Sequence, residues 1–296
     1  MQSVVNYPER GVGGKNTYRG NCSPRLIEDL VKQFKLKNLS DFMVGSGTTE
    51  DVCKNHGIGG TYLDLNRGYN MLTMDIPERA ENIFWHPPYH DIVVYSDIMY
   101  KAQTIIDKFG FDPRIDDLSR CKSWEDFINK MNYCCIKQFC SLEKGGRMFI
   151  LMGDVKKSGR LYSMYREICA VGTLESTIIK IQNNCVSNNR EYRGNFIPII
   201  HEYLMIVRKD NALYFPVQMA VNKQFNVLDS VSVTWLDLIS SILEEANAPM
   251  SLNSLYMTVE GHKKCNTNKH WKEKIRQTLL ISTRFKRVSA GIWALS

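Results

Sequence analysis

The residues with the clearest chemical potential are His86-Pro87-Pro88-Tyr89, which follow an apolar run at residues 82–85. Two consecutive prolines cannot continue a central strand, and they fix φ, so they would hold this segment rigid. Tyr89 offers a flat face on which a base extruded from a duplex could stack. Acceptors at His86 and at the Pro87 carbonyl could draw on the hydrogens of an exocyclic amine and aim its nitrogen. The segment favours a catalytic loop, with a proline-rich turn as the alternative.

A glycine-rich segment, DFMVGSGTT at residues 41–49, comes earlier in the chain. Gly45 and Gly47 would let the backbone approach a ligand closely, and the helix expected to follow would offer unpaired N–H groups. The lysine of a GxxxxGK[ST] phosphate loop is missing. The pattern favours a cofactor-binding turn, with a turn that binds nothing as the alternative.

Two acids close the next two apolar runs, GTYLDL (60–65) and MLTMDI (71–76). Asp64 would stand at the tip of a second strand, where a carboxylate can accept from both ribose hydroxyls of a nucleoside-containing cofactor. Asp75 could accept from an adenine amino group. The alternative for each is an exposed acid at a strand end.

Apolar runs and helical patterns alternate along the first two thirds of the chain. The runs lie at residues 41–44, 60–65, 71–76, 82–89, 147–154 and 202–209, and the helical patterns at 26–34, 98–109, 123–142 and 160–170. This alternation predicts an α/β, Rossmann-like fold with a doubly wound, mostly parallel sheet. In such sheets the ligand lies beyond the carboxyl ends of the strands, where the polar residues of each run would gather.

The sequence changes character after about residue 230. WLDLISSILEEA, SLNSLYMTVEGH and KHWKEKIRQTLLIS predict three helices, and FKRVSAGIWAL predicts a hairpin, the outline of a winged helix-turn-helix. We therefore divide the chain into domains at 1–230 and 231–296.

Residues 262–287 carry a charge of +8, while the other 270 residues sum to about −1. A positive excess confined to one segment predicts a polyanion partner, with a solvated basic face as the alternative. The candidate nucleic-acid-binding residues are Lys263, Lys264, Lys269, Lys272, Lys274, Arg276, Arg284, Lys286 and Arg287.

Together these motifs resemble the amino-directed DNA methyltransferases, over about residues 15–210. DFMVGSGTT looks like the family's D-P-F-x-G-S-G-T-T cofactor loop, and HPPY looks like its [DNS]-P-P-[YFW] catalytic loop. NCSPRLIEDLVKQF (21–34) is similar to the segment that lies against the methionine part of the cofactor, and HEYLMIVRK (201–209) resembles a late strand. The order of the motifs looks like the gamma arrangement. Residues 235–295 also look like the winged-helix modules that bacterial proteins append to nucleic-acid enzymes.

The resemblance implies a site-specific methyltransferase that uses S-adenosyl-L-methionine and acts on double-stranded DNA. The catalytic residues it implies are His86, Pro87, Pro88 and Tyr89, and the cofactor-binding residues are Asn21, Ser23, Asp41, Gly45, Ser46, Gly47, Thr48, Thr49, Asp64 and Asp75. No metal is expected. A homodimer and a restriction endonuclease or other defence-system partner stay open.

His86 stands where the family has Asp, Asn or Ser. A neutral imidazole can accept one hydrogen bond from an amine and an imidazolium can accept none, so activity would need His86 unprotonated. We expect adenine N6 as the target. Cytosine N4, an RNA substrate and a DNA-binding homologue without activity are the alternatives. Carbon-5 cytosine methylation is excluded because it needs a cysteine after a proline, and no Pro-Cys pair occurs.

The bulk properties suit a cytoplasmic protein. No apolar run approaches the roughly 18 residues of a membrane helix, and the N-terminus lacks the apolar stretch of a signal peptide. The nine cysteines have no CxxC pair and no zinc-like spacing with histidine, so we expect reduced packing thiols.

Overall fold

The computed structural model describes residues 1–183, 195–221, 226–230 and 232–296. Its strands are β1 (Val4–Asn6), β2 (Ala80–Trp85), β3 (Leu142–Met152), β4 (Val155–Lys157), β5 (Arg160–Tyr162), β6 (Ala170–Val171), β7 (Thr173–Ile181), β8 (His201–Arg208), β9 (Val217–Gln218), β10 (Met250–Ser251), β11 (Phe285–Ser289) and β12 (Ile292–Leu295). Its α-helices are α1 (Pro24–Phe34), α2 (Thr48–Asn55), α3 (Tyr95–Ile98), α4 (Ala102–Phe109), α5 (Pro113–Asp116), α6 (Trp124–Ser141), α7 (Met164–Glu167), α8 (Trp235–Ala246), α9 (Leu252–Val259), α10 (Lys263–Thr267) and α11 (Trp271–Ile281).

Five strands form the central sheet, in the order β1-β7-β8-β3-β2. The pairs β1–β7 and β2–β3 are parallel, whereas β8 is antiparallel to both of its neighbours, β3 and β7. Short parallel bridges extend the sheet past β2, from Ser40 to Ile83 and from Asp41 to Tyr62. The predicted Rossmann-like α/β fold is confirmed, with a mixed sheet.

The two faces of this sheet are covered by different helices, as β3 shows. Met148, Ile150 and Met152 alternate with Phe149 and Leu151, and all are fully buried. The first three share a core with α6, and the other two share a second core with α1 and α2. Because successive side chains of a strand point to opposite faces, a strand covered on both sides is apolar throughout. The unbroken run in β3 is therefore a consequence of its central position.

Four predictions of regular structure were wrong. The predicted strand at 41–44 is a turn that follows isolated bridges at Ser40 and Asp41. The segment 71–76 is a turn rather than a strand, and of the run at 60–65 only a bridge at Tyr62 belongs to the sheet. The helical pattern at 160–170 forms the edge strand β5 and the single helical turn α7. Short apolar runs do not distinguish strands from buried turns by themselves.

The chain divides into two compact units, Met1–Ala220 and Val221–Ser296, ten residues before the boundary expected from the sequence. The second unit has its own core, built on Leu238, Leu255, Ile275 and Trp293. It contains the helices α8 to α11 and a three-stranded sheet in the order β10-β12-β11. The predicted third helix at 269–282 corresponds to α11, and the short α10 is an additional helix between α9 and α11. No helix in the described ranges has both the length and the apolarity needed to cross a bilayer.

Candidate active site

The carboxyl edge of the sheet gathers loops from distant parts of the sequence. Parallel strands end at the same edge, so the segments after Asp41, after Trp85 and after Met152 lie together there. The antiparallel strand β8 starts at this edge, which brings residues 201–202 to it as well. These loops surround two clefts, called cleft A and cleft B here.

Cleft A contains most of the residues predicted to bind the cofactor. Those that line it are Asn21, Asp41, Gly45, Ser46, Thr48, Thr49 and Asp64. The glycine-rich segment 45–47 turns there, and α2 begins directly after it. Gly45 has a φ of 54°, a left-handed conformation that a residue with a side chain adopts only at a cost.

Two buried carboxylates hold the glycine-rich turn in shape. Asp41 accepts from the Thr49 hydroxyl at 2.6 Å and from the Met43 amide at 3.0 Å. Asp64 accepts from the amides of Gly45 at 2.8 Å and Asn66 at 2.9 Å. Burial raises the pKa of Asp41 to about 7, and it raises the pKa of Asp64 too. Each carboxylate oxygen has a second lone pair, so Asp64 can still accept from a ligand.

A pair of tyrosines closes the outer side of cleft A. The rings of Tyr18 and Tyr95 stack with centroids 5.7 Å apart, and Tyr100 also lines the cleft. A Cβ added at Gly45 would lie 3.2 Å from the Tyr18 ring. The close approach of this ring explains why residue 45 is a glycine. Tyr18 and Tyr100 could not be predicted as site residues, because neither belongs to a sequence motif.

Three residues predicted to bind the cofactor do not line cleft A. Ser23 donates to the Arg10 carbonyl at 2.8 Å, and Asp75 is exposed. A Cβ at Gly47 would meet the Arg67 guanidinium rather than the cleft. The predicted strand at 71–76 is a turn, so its final acid does not reach the sheet edge. Asn70 and Asp116 line the cleft instead, joined by a 2.6 Å hydrogen bond from Nδ2 to Oδ2.

Cleft B lies on the other side of His86 and has a volume of about 630 Å³. Pro87, Tyr89 and Asp154 line it, while Pro88 lines cleft A. The residues that line both clefts are Gly20, Asn21, His86 and Tyr95. The predicted catalytic loop therefore separates the two clefts and contacts each of them.

A chain of polar contacts fixes the predicted catalytic loop. His86 Nε2 lies 3.0 Å from the Tyr89 hydroxyl, which donates to Glu202 Oε1 at 2.7 Å. Lys180 Nζ donates to Glu202 Oε2 at 2.5 Å. Burial opposes ionisation of Glu202, but the Lys180 charge and the neighbouring His86 outweigh it and hold the pKa of this carboxyl well below its ordinary value. The Tyr89 ring packs against the backbone at Gly153, where a Cβ would lie 2.7 Å from a ring carbon.

Lys180 and Glu202 are site residues that the motifs did not reveal. They belong to β7 and β8, where they are paired across the two strands. One signal was present in the sequence, because each is a charged residue next to apolar residues of its strand, Ile179 and Ile181 for Lys180 and the run 203–207 for Glu202. Charged residues are almost never fully buried without a partner.

The basic residues of the second unit differ in their surroundings. Arg284 contacts Ser240 and Glu244, and Arg276 pairs with Glu273. Lys264 and Lys272 lie over aromatic rings, Lys274 donates to Gln277 and Arg287 to the Ser289 carbonyl. Lys263, Lys269 and Lys286 are exposed, and none of their side chains has an ion pair or hydrogen bond with a described residue.

No protein-family model matches the sequence, and no curated protein matches it significantly. Among solved structures, TrmN from Thermus thermophilus aligns over 64% of this chain and 50% of its own, with 11% identity and a TM-score of 0.32. A SAM-dependent methyltransferase from Archaeoglobus fulgidus aligns over 64% of this chain and 96% of its own, with 9% identity and a TM-score of 0.33. TehB from Haemophilus influenzae covers 62% of each chain, with 10% identity and a TM-score of 0.30. All three are distant, so function is inferred from the residues of the site.

Proposed function

We propose that the first unit is an S-adenosyl-L-methionine-dependent methyltransferase that modifies an exocyclic amine of DNA, with adenine N6 as its target. The observation that carries this proposal is the position of His86 in the loop His86-Pro87-Pro88-Tyr89. His86 lies between cleft A, which has the features of a nucleoside site, and cleft B, which is open for a second molecule. A transfer reaction needs such an arrangement, because donor and acceptor must meet in line.

Cleft A suits a nucleoside-containing methyl donor. Asp64 stands beside the glycine-rich turn with lone pairs free for ribose hydroxyls. Asp116 is proposed to accept from the cofactor, a role that the sequence had suggested for Asp75. Asp116 lines the cleft, and its Oδ1 has no hydrogen-bond partner among the described residues. The amino group of an adenine ring is a suitable donor to it. The Tyr18 and Tyr95 rings provide the apolar wall.

The bound donor supplies a methyl group on a positively charged sulfur. In the proposed reaction the amine nitrogen would take this methyl group, and the sulfur would keep the carbon–sulfur electron pair. The nitrogen then carries the positive charge and loses one proton. The protein's part is to orient the amine, through acceptors at His86 and at the Pro87 carbonyl, and to take up that proton.

The second unit is proposed to be a winged-helix DNA-binding module. Its order of elements supports this, because helices α8, α9 and α11 precede the hairpin of β11 and β12. Lys272, Lys274 and Arg276 lie on α11, and Lys286 and Arg287 lie on β11. In a winged helix these two elements contact the major groove and the adjacent backbone.

The proposal is tested by incubating the protein with radiolabelled cofactor and unmethylated DNA. The DNA is digested after incubation, and its nucleosides are separated and identified by mass. N6-methyladenine is the expected product, His86→Ala is the matched loss-of-function variant, and RNA is the comparison substrate. N4-methylcytosine would correct the target base, and methylated RNA alone would correct the substrate. DNA binding without any transfer would mean an inactive homologue.

A further inference from the structure

The contacts of the Tyr89 hydroxyl determine which ring nitrogen of His86 carries a proton. A tyrosine hydroxyl has one proton to donate, and two groups compete for it here. Glu202 Oε1 lies 2.7 Å away and His86 Nε2 lies 3.0 Å away. A carboxylate can only accept, and Lys180 keeps this one ionised. The hydroxyl therefore donates to Glu202, and its lone pair faces Nε2.

With the hydroxyl acting as an acceptor, Nε2 of His86 must be the donor. A neutral imidazole has one N–H and one lone pair, so the lone pair then belongs to Nδ1. Among the described residues Nδ1 has no hydrogen-bond partner. We infer that Glu202 and Tyr89 are positioning residues, which fix His86 in its Nε2-protonated form and leave Nδ1 as the acceptor for the target amine. The second half of this inference rests on the proposed function.

The same arrangement accounts for the proton released by methylation. When the amine nitrogen has taken the methyl group, its N–H proton passes to the lone pair of Nδ1, and His86 becomes an imidazolium. Its charge lies 3.7 Å from Glu202 Oε1, measured from Nε2, and the hydroxyl of Tyr89 contacts both groups. A buried carboxylate at this distance stabilises the positive ring. No additional reactant is needed.

An amide in place of the carboxylate should reverse the chain of hydrogen bonds. In Glu202→Gln the Lys180 ammonium, which can only donate, requires the amide oxygen. The amide NH₂ would then face Tyr89 and donate to its hydroxyl. Tyr89 would in turn donate to Nε2 of His86, and the ring proton would move to Nδ1. The acceptor for the amine is lost, although the side chain at position 202 keeps its shape.

Nitrogen NMR on protein with ¹⁵N-labelled histidine measures the tautomer of His86 directly, because two-bond couplings show which ring nitrogen is protonated in the neutral ring. His86→Ala assigns the signal. We expect Nε2–H in the parent and Nδ1–H in Glu202→Gln, with kcat lower by about 10²-fold, the scale of a positioned proton acceptor. Cofactor affinity should not change, because Tyr89 and Glu202 do not line cleft A. Glu167→Gln is the matched control, since Glu167 accepts from Trp124 Nε1 at 2.8 Å elsewhere in the same unit.

Tyr89→Phe is the second variant, which removes the hydroxyl and keeps the ring. It should lower the Nε2–H population and kcat together. Nδ1–H in the parent protein, or an unchanged tautomer in both variants, would overturn the inference. An Nε2–H parent that transfers no methyl group to any nucleic acid would contradict the proposed function and leave the positioning of His86 standing.

Discussion

Lys180 and Glu202 lie opposite each other on neighbouring antiparallel strands, with Nζ 2.5 Å from Oε2 and both side chains buried. Removing two charges from water costs free energy. The attraction between the charges offsets this cost only when the geometry is good and the remaining lone pairs accept hydrogen bonds. Here the second carboxylate oxygen accepts from Tyr89. The pair therefore meets both conditions, and it also fixes the position of Tyr89 in the predicted catalytic loop.

Lys180→Met should lower the free energy of unfolding by about 3–5 kcal/mol at neutral pH, because it leaves a buried carboxylate unpaired. It should also change the response to acid. The folded-state pKa of Glu202 lies below its ordinary value of 4.5, so this group stabilises the parent above that pH and the gain is lost as the pH falls. As the pH falls below 4.5, the free energy of unfolding should therefore decrease less steeply in the variant than in the parent. Denaturant unfolding at several pH values measures both effects.

Lys54→Met is the control for that experiment. Lys54 pairs with Glu50 at 2.7 Å, one helical turn away, but its side chain is 67% exposed. An exposed pair of this kind contributes at most about 1 kcal/mol. Equal losses from the two variants would show that the Lys180–Glu202 pair is no more important than a surface pair.

Asp41→Asn should stabilise the protein above neutral pH. Burial raises the pKa of Asp41 to about 7 from 3.8. The folded state therefore binds a proton that the unfolded state has released, and stability falls as the pH rises through this interval. The cost reaches as much as about 4 kcal/mol, at about 1.4 kcal/mol per pKa unit. Asparagine keeps one acceptor for the Met43 amide and can donate to Thr49.

The measurement is the free energy of unfolding between about pH 4 and pH 8, where the variant should lose the downward slope. Asp126→Asn is the control with the opposite sign, because Lys130 lowers the pKa of Asp126 on an exposed helix surface. A parent curve that rises through this interval would contradict the assignment to Asp41.

The loops at 86–89 and 45–47 could be predicted from the sequence, because rigid prolines and closely spaced glycines are local signals. The sequence did not allow prediction of Glu202 or Lys180, whose roles depend on the pairing of β8 with β7 across a connection of about twenty residues. It misplaced Asp75, because the apolar run before it packs as a turn. Apolar periodicity reports burial, and only tertiary pairing decides which edge of the sheet a polar side chain reaches.

Gly45→Ala should weaken cofactor binding by at least about tenfold, as expected for a loss of roughly 1.4 kcal/mol. The added Cβ would lie 3.2 Å from the Tyr18 ring, which stacks on Tyr95 and has little room to withdraw. Calorimetric titration with the cofactor measures the change. Gly57→Ala is a matched control, because Gly57 has a similar φ of 64° but nothing within 4 Å of its Cβ position. Both variants carry the left-handed strain of about 1 kcal/mol, so equal losses of affinity would trace the effect to strain.

The last prediction separates basic residues that we expect to bind DNA from those that hold the second unit together. Lys269 and Lys286 are exposed, and their side chains have no ion pair or hydrogen bond with a described residue, so they are free to meet phosphates. Arg284 contacts Ser240 at 3.0 Å and Glu244 at 2.5 Å, which ties the residues before β11 to α8. Lys269→Gln and Lys286→Gln should weaken DNA binding and leave the unfolding transition unchanged. Arg284→Gln should lower the stability of the unit instead.

Each phosphate contact that is lost should flatten the plot of log affinity against log salt by about 0.9 for duplex DNA. The double variant of Lys269 and Lys286 should therefore reduce the slope by about 1.8, while cofactor affinity is unchanged because cleft A is built from residues 18–118. Fluorescence anisotropy with a labelled duplex at several salt concentrations gives both the affinity and the slope. If the double variant keeps the parent's slope, these lysines are solvated surface residues. If it loses affinity at every salt concentration with the slope intact, the positive charge acts on something other than phosphate.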